Sequence, residues 1–273
     1  MSIDSPASAV ATARQDARPS YRSGSRLALG AALAAMASVT ASSWLESAPP
    51  NEVIALPESL EIELARSALP PYLRDGATVY VYDADVGYRV AVDGSNGFHA
   101  LVGRDDPAVR WAAFTFEAYP RDFLIPVAFD EAARNAQLKA YLDLGRWRAE
   151  GVAAPEAQRR LREGFEHGEY ETPARTGVGY MLSPIVRAFV RTESDATVRS
   201  FSFPHYMFFA PHVSAADIGA GPDLRYPVMR PSMPDPHGMI VVAVGERERA
   251  AYAEEHARLL ARLCEIHEPW CLP

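Results

Sequence analysis

The alternation of apolar and polar residues is most regular in one part of the chain. Residues 78–82 (TVYVY) and 88–92 (YRVAV) alternate with a period of two around Gly87, which predicts a β-hairpin. Residues 93–97 (DGSNG) have turn chemistry, and residues 98–102 follow as a third predicted strand. We therefore expect a sheet that begins with an antiparallel hairpin.

Helical periodicity marks four other stretches. Apolar residues recur at helical spacing over residues 58–70, where a Pro-Pro pair ends the pattern. Two amphipathic helices are predicted over residues 131–150, with Asp130 as the N-cap, and over residues 155–168. Residues 246–264 form the predicted last helix.

The remaining strands complete the predicted architecture. Residues 239–244 (MIVVAV) are hydrophobic on both faces, which is typical of a central strand. Hairpins with helices between and after them predict a single α+β domain over residues 58–273, a mainly antiparallel sheet with helices packed on it. Three further strands are predicted at residues 177–182, 198–203 and 206–209.

The N-terminal region has the pattern of an export signal. Residues 1–41 combine an arginine-containing front end, an alanine-rich apolar run and small residues at Val39-Thr40-Ala41, which predicts a signal peptide. The apolar run is too short for a bilayer span of about 20 residues, so no transmembrane span is predicted in the mature chain. A disordered tail and an organelle transit peptide are the alternatives. Residues 42–57 are predicted to be a linker.

Composition and charge narrow the class of protein. The chain has 273 residues, 48% of them hydrophobic, which is sufficient for one domain with a core. Its net charge of −8 argues against a nucleic-acid partner. If residues 1–41 direct export, the protein is periplasmic or extracellular.

The two cysteines, Cys264 and Cys271, lie near the C-terminus with six residues between them. In an exported chain this spacing favours a disulfide that joins the last helix to the tail. His267 lies between the cysteines, so a Cys/His metal site is the alternative. It would have three ligands at most, and the disulfide is the preferred interpretation.

Sequence motifs of known chemistry are absent. The chain has no G-x-S-x-G elbow, H-E-x-x-H, P-loop or EF-hand loop, and no cofactor or metal is predicted from it. The fragment Gly177-Val178-Gly179 is explained more economically by close strand packing than by phosphate binding.

The candidate site is the stretch 201–245, which is rich in aromatic residues, histidine and proline. The candidate residues for a ligand or polar pocket are His205, Tyr206, His212, Asp217 and His237. A metal site would require a sharp turn after residue 209 to bring the histidines together. The alternatives are a metal-free polar pocket and histidines that only support the fold. On a strand, residues 205, 207 and 209 would share one face.

Several separated blocks carry a resemblance. They are GATVYVYDADVGYRVAVDGSNGFHALV, GVGYMLSP, FPHYMFFAPHVSAADIG and PHGMIVVAVG. Together they resemble a family of uncharacterised exported bacterial proteins. The resemblance implies export and a shared domain, with no activity attached. Many members have a cysteine just after the Asn-Gly turn, and this chain has none near His99.

Three functions remain open from the sequence. The leading hypothesis is an exported domain that binds a small molecule or an envelope protein at the His/aromatic stretch. The second is a metal-dependent or His-based hydrolase that uses His205, His212 and His237. The third is a purely structural secreted domain.

Overall fold

The computed structural model describes residues 51–190, 195–230 and 236–273. The predicted signal peptide, residues 1–41, lies outside these ranges, as does the part of the predicted linker before residue 51.

Ten strands are present in the described residues, eight of them in one sheet. They are β1 (Thr78–Asp83), β2 (Gly87–Val92), β3 (Phe98–Gly103), β4 (Ile125–Asp130), β5 (Gly177–Met181), β6 (Val186–Phe189), β7 (Val198–Phe201), β8 (His205–Phe209), β9 (Val228–Met229) and β10 (Met239–Ala243). The large sheet has the order β2-β1-β3-β4-β5-β8-β10-β9, and β6 pairs with β7 separately. All its neighbours are antiparallel except β1 and β3. The predicted α+β class is confirmed.

The helices flank the sheet. They are α1 (Glu58–Ser67), α2 (Pro71–Arg74), α3 (Glu131–Ala133), α4 (Lys139–Ala149), α5 (Ala154–Glu166), α6 (Glu246–Glu255) and α7 (Ala257–Ile266). A π-helical segment, Arg134–Leu138, joins α3 to α4, so the helix predicted over 131–150 is interrupted. The predicted cap is confirmed, because the Asp130 carboxylate accepts from the Ala133 amide at 3.0 Å. The last predicted helix breaks at His256 into α6 and α7.

Two layers of helices cover opposite faces of the sheet. On one face, Leu64 of α1 and Leu263 of α7 pack against Val79 and Ala100. On the other face, the chain around α4 packs against β4 and β8, and α4 and α5 share a core that includes Leu161. This burial supplies the main stabilising free energy, because apolar surface on both faces of the sheet is removed from contact with water.

The strand predicted to be central lies near the edge of the sheet. β10 has β8 on one side, and on the other side only the two-residue β9. Its residues Met239 and Val241 are buried, whereas Ile240 and Val242 are half-buried. The second face of β10 is therefore apolar in sequence although it is only partly buried.

The C-terminal tail is fixed to the domain. Cys264 and Cys271 form the predicted disulfide. Trp270, which is fully buried, donates from its indole Nε1 to the backbone oxygen of Asp122 at 2.8 Å. Within the three described ranges, no helix has both the length and the apolar character required to cross a membrane.

Candidate functional site

A cavity of about 440 Å³ opens on the face of the sheet that carries α4 and α5. Its floor is formed by β4, β8 and β10, and its walls include the segment Pro107–Trp111, a 3₁₀ helix, and the small sheet of β6 and β7. Most of the lining side chains are apolar or aromatic. A volume of this size lies within the range of about 300–1,000 Å³ typical of small-molecule sites.

Strand alternation builds the floor. On β8, His205, Met207 and Phe209 are buried and line the cavity, which confirms the predicted shared face. The antiparallel register sets Met207 opposite Val241 and Phe209 opposite Met239 on β10. Side chains at paired positions lie on the same face of a sheet, so the two strands form one continuous apolar surface.

A glycine on β5 makes room beside this floor. Gly179 pairs with Met207, and a Cβ at Gly179 would lie 2.9 Å from the terminal methyl of Met207 and 3.1 Å from the ring of Phe209. Both distances are shorter than ordinary van der Waals contact. Because Gly179 has no side chain, Met207 and Phe209 can pack closely against β5 at this position. This supports the interpretation of Gly177-Val178-Gly179 as a packing feature.

Arg110 provides a buried positive charge at the cavity wall. Its side chain is 2% exposed, and its Nη1 donates to the carbonyl oxygen of Pro107 at 2.6 Å. The guanidinium carbon lies 3.9 Å from the ring centroid of Phe165 and 5.5 Å from that of Trp111. Cation–π contacts of this kind hold a guanidinium in a fixed orientation.

Arg230 lines the same cavity, and the two arginines interact. Burial, and next the positive charge of Arg230, lower the pKa of Arg110 to about 9. Arg110 therefore remains charged near neutral pH, and the positive charge of Arg230 adds to the free-energy cost of keeping it charged. The free energy of this pair would fall if an anion came between them.

His205 is a neutral member of the floor. Burial is the main cause that lowers its pKa to about 4, and the charge of Arg230 acts in the same direction. Its Nδ1 lies 2.7 Å from the backbone oxygen of Phe203. Because that oxygen can only accept, the neutral ring carries its proton on Nδ1 and keeps Nε2 as an acceptor.

Three other polar residues line the cavity. Asp106 uses its carboxylate to cap the 3₁₀ segment, accepting from the Ala108 amide at 2.8 Å. Burial raises the pKa of the Tyr141 hydroxyl well above its usual range, so it stays a neutral donor. Gln137, from the π-helical segment, adds an amide. Few polar groups in an apolar cavity are typical of sites that orient one ligand.

The structure separates the five residues predicted for a site. His205 lines the cavity, but Tyr206 lies on the opposite face of β8, where its ring contacts Tyr180. His237 is buried against Phe165, with ring centroids 4.9 Å apart.

The other two predicted residues lie on the loop after β8. His212 is exposed and has a positive φ of 62°. Asp217 is also exposed, and its carboxylate accepts from the amide and hydroxyl of Ser214 within its own loop.

A shared metal site receives no support from this arrangement. Within residues 51–190, 195–230 and 236–273, no three His, Cys, Asp or Glu side chains are grouped so as to hold one metal ion. His205, at the start of β8, is buried, whereas His212, on the loop after β8, is exposed.

The sequence did not identify the charged residues of the cavity. Arg110 and Arg230 lie in segments without a motif, and arginine is nearly the only base in this chain. The available signal was the proline-containing apolar setting of residues 107–111, which is unusual for a solvated arginine. That signal alone does not indicate which other side chains Arg110 meets.

In comparisons with known proteins, the chain matches no family model, no curated protein and no solved structure.

Proposed function

We propose that this protein is an exported α+β domain that binds a small organic molecule in the cavity above β4, β8 and β10. The observation that carries the proposal is the cavity itself, about 440 Å³ in volume, with an apolar floor and a few polar side chains at its wall. Removing the apolar part of a ligand from water would supply about 25 cal/mol per Å² of buried apolar surface.

The composition of the cavity favours binding over catalysis. Its histidine, His205, is neutral because its pKa is lowered to about 4, and its Nδ1 is occupied by the Phe203 carbonyl. The Asp106 carboxylate caps a backbone turn. Neither group is arranged as a base next to a nucleophile, which hydrolysis would require.

Export is part of the proposal. The disulfide between Cys264 and Cys271 supports it, because such bonds persist mainly in oxidising compartments. A periplasmic or extracellular location would place the cavity where small molecules from outside the cell are met.

The test is the binding of a neutral apolar dye, N-phenylnaphthylamine, whose fluorescence rises when it leaves water. We expect saturable binding to the purified full-length protein with one-to-one stoichiometry. Val241→Phe adds bulk inside the cavity and should abolish binding. Val242→Phe makes the same change one residue along β10, on the opposite face, and should leave binding intact.

Two results would overturn the proposal. The first is wild-type protein that is folded by circular dichroism and does not bind the dye. The second is equal binding by both phenylalanine variants, which would place the dye outside the cavity. Ala188→Phe, on β6 at the cavity wall, serves as a second blocking variant if Val241→Phe does not fold.

A further inference from the structure

We propose that the natural ligand is an organic acid whose apolar body lies on the sheet and whose carboxylate lies between Arg110 and Arg230. This inference rests on the ligand-binding function proposed above and specifies its chemical class. The two arginines come from different parts of the chain, the 3₁₀ segment and the residue after β9, and both line the one cavity.

The charges of the described lining residues favour an anion. They comprise two guanidinium groups and one carboxylate, that of Asp106. The Asp106 carboxylate already accepts a hydrogen bond from Ala108. His205 contributes no positive charge near neutral pH, because its pKa is lowered. Two guanidinium groups thus line an apolar cavity, a setting in which electrostatic attraction to an anion is stronger than in water.

Arg110 is preorganised for this role. Its side chain is held by the Pro107 carbonyl and by the ring of Phe165, so little conformational entropy remains to be lost on binding. Arginine also presents two parallel N–H groups that match the two oxygens of a carboxylate.

Arg230 supplies the second charge. It is half-buried, and its backbone amide is fixed by the Met239 carbonyl at 3.0 Å. Burial first, and the positive charge of Arg230 second, disfavour the charged form of Arg110 and lower its pKa. A carboxylate between the two guanidinium groups would convert this repulsion into two attractions.

Neutral donors complete the proposed site. The Tyr141 hydroxyl and the Gln137 amide line the same cavity and are able to donate to a carboxylate oxygen. The apolar floor of Met207, Phe209 and Val241 would contact the body of the ligand. Recognition would thus combine a charged end and an apolar end, which specifies an amphipathic acid.

The test compares decanoate with decanol, which have the same chain length and differ at the head group. Isothermal titration at pH 7 is expected to show that the wild-type protein binds decanoate about tenfold more tightly than decanol. Arg230→Gln should remove most of this preference, because it should weaken decanoate binding far more than decanol binding. Arg225→Gln is the matched control, because Arg225 is exposed, pairs with Asp223 and does not line the cavity.

The outcomes separate this inference from the proposed function. Equal affinity for decanoate and decanol would overturn the anion inference and leave ligand binding intact. If the protein binds neither decanoate, nor decanol, nor the neutral dye, both the anion inference and the proposed ligand-binding function are wrong. A decanoate preference that persists in Arg230→Gln and in Arg110→Gln would show that these arginines do not hold the head group. The Arg110→Gln result counts only if circular dichroism shows that this variant is folded. If it is not folded, Arg230→Gln alone decides whether the cavity arginines hold the head group.

Discussion

The guanidinium group of Arg110 lies over the ring of Phe165, with 3.9 Å between its central carbon and the ring centroid. Phe165 also stacks on Tyr170, at 4.3 Å between centroids, and meets the edge of His237. One side chain of α5 thus connects a buried cation of the cavity to the hydrophobic core. His237 packs against this same ring and is not among the residues that line the cavity.

Phe165→Leu is expected to weaken decanoate binding more than decanol binding. The substitution removes the ring that orients Arg110, and loss of a cation–π contact worth about 1 kcal/mol corresponds to about a fivefold loss of affinity. Titration with both compounds measures the effect. Phe98→Leu, in an aromatic contact with Tyr180 on the other face of the sheet, should change neither affinity. An equal effect of the two variants would contradict the proposed role.

Acid should destabilise the protein through His205. The pKa of this histidine is about 4 in the fold, compared with its ordinary value of 6.5. Between these pH values the unfolded chain binds a proton that the folded chain does not, so stability is present above pH 6.5 and falls as the pH falls toward 4. The contribution amounts to about 3 kcal/mol.

Urea unfolding of the wild-type protein and His205→Asn at several pH values checks this expectation. The difference between the two unfolding free energies should change over the window from pH 6.5 to 4 and be constant above it. Asparagine retains a donor for the Phe203 carbonyl and does not titrate. A difference that is independent of pH would show that His205 is protonated equally in both states.

The buried ion pair of Arg148 and Asp105 should be essential to stability. The two side chains are 0% and 2% exposed, and Arg148 Nη1 donates to the carboxylate at 2.9 Å. Arg148 also donates to the backbone oxygens of Asn51 and Glu52, so it anchors the chain before α1. Arg148→Met should cost about 3–5 kcal/mol, because it leaves a buried carboxylate without its cation.

The matched control is Arg146→Met, on the same helix. Arg146 is largely exposed and pairs with Asp143 and Glu150. Exposed pairs contribute about 0–1 kcal/mol, so this variant should unfold close to wild type. Chemical denaturation gives both values, and comparable losses would mean that burial of the Arg148 pair adds nothing.

Loss of the disulfide should loosen the tail. Replacing both Cys264 and Cys271 by serine opens a short loop, and the chain-entropy model assigns such a loop about 2.5 kcal/mol. The wild-type protein under reducing conditions should lose a similar amount, whereas the double variant should be insensitive to reductant. Unfolding followed by urea titration measures both, and equal stability of all forms would show that Trp270 alone fixes the tail.

Local features of the fold were accessible from the sequence. The hairpin of β1 and β2 follows from alternation around Gly87, and Asp130 begins its helix because a carboxylate satisfies a free backbone amide. The interruption by the π-helical segment was not predicted, since the hydrophobic pattern of residues 131–150 is the same with or without it. The edge position of β10 was missed for a similar reason: an apolar strand does not encode which neighbours cover it.

The candidate site, too, was predictable from the sequence only in its local features. By itself, the sequence determined that His205, Met207 and Phe209 share a face, because side chains alternate along any strand. Only the tertiary structure decided that this face is the floor of a cavity, that Tyr206 points away from it, and that Arg110 and Arg230 both line that cavity. Contacts between residues distant in the chain depend on how sheet and helices pack, and a local pattern of polar and apolar residues does not specify them.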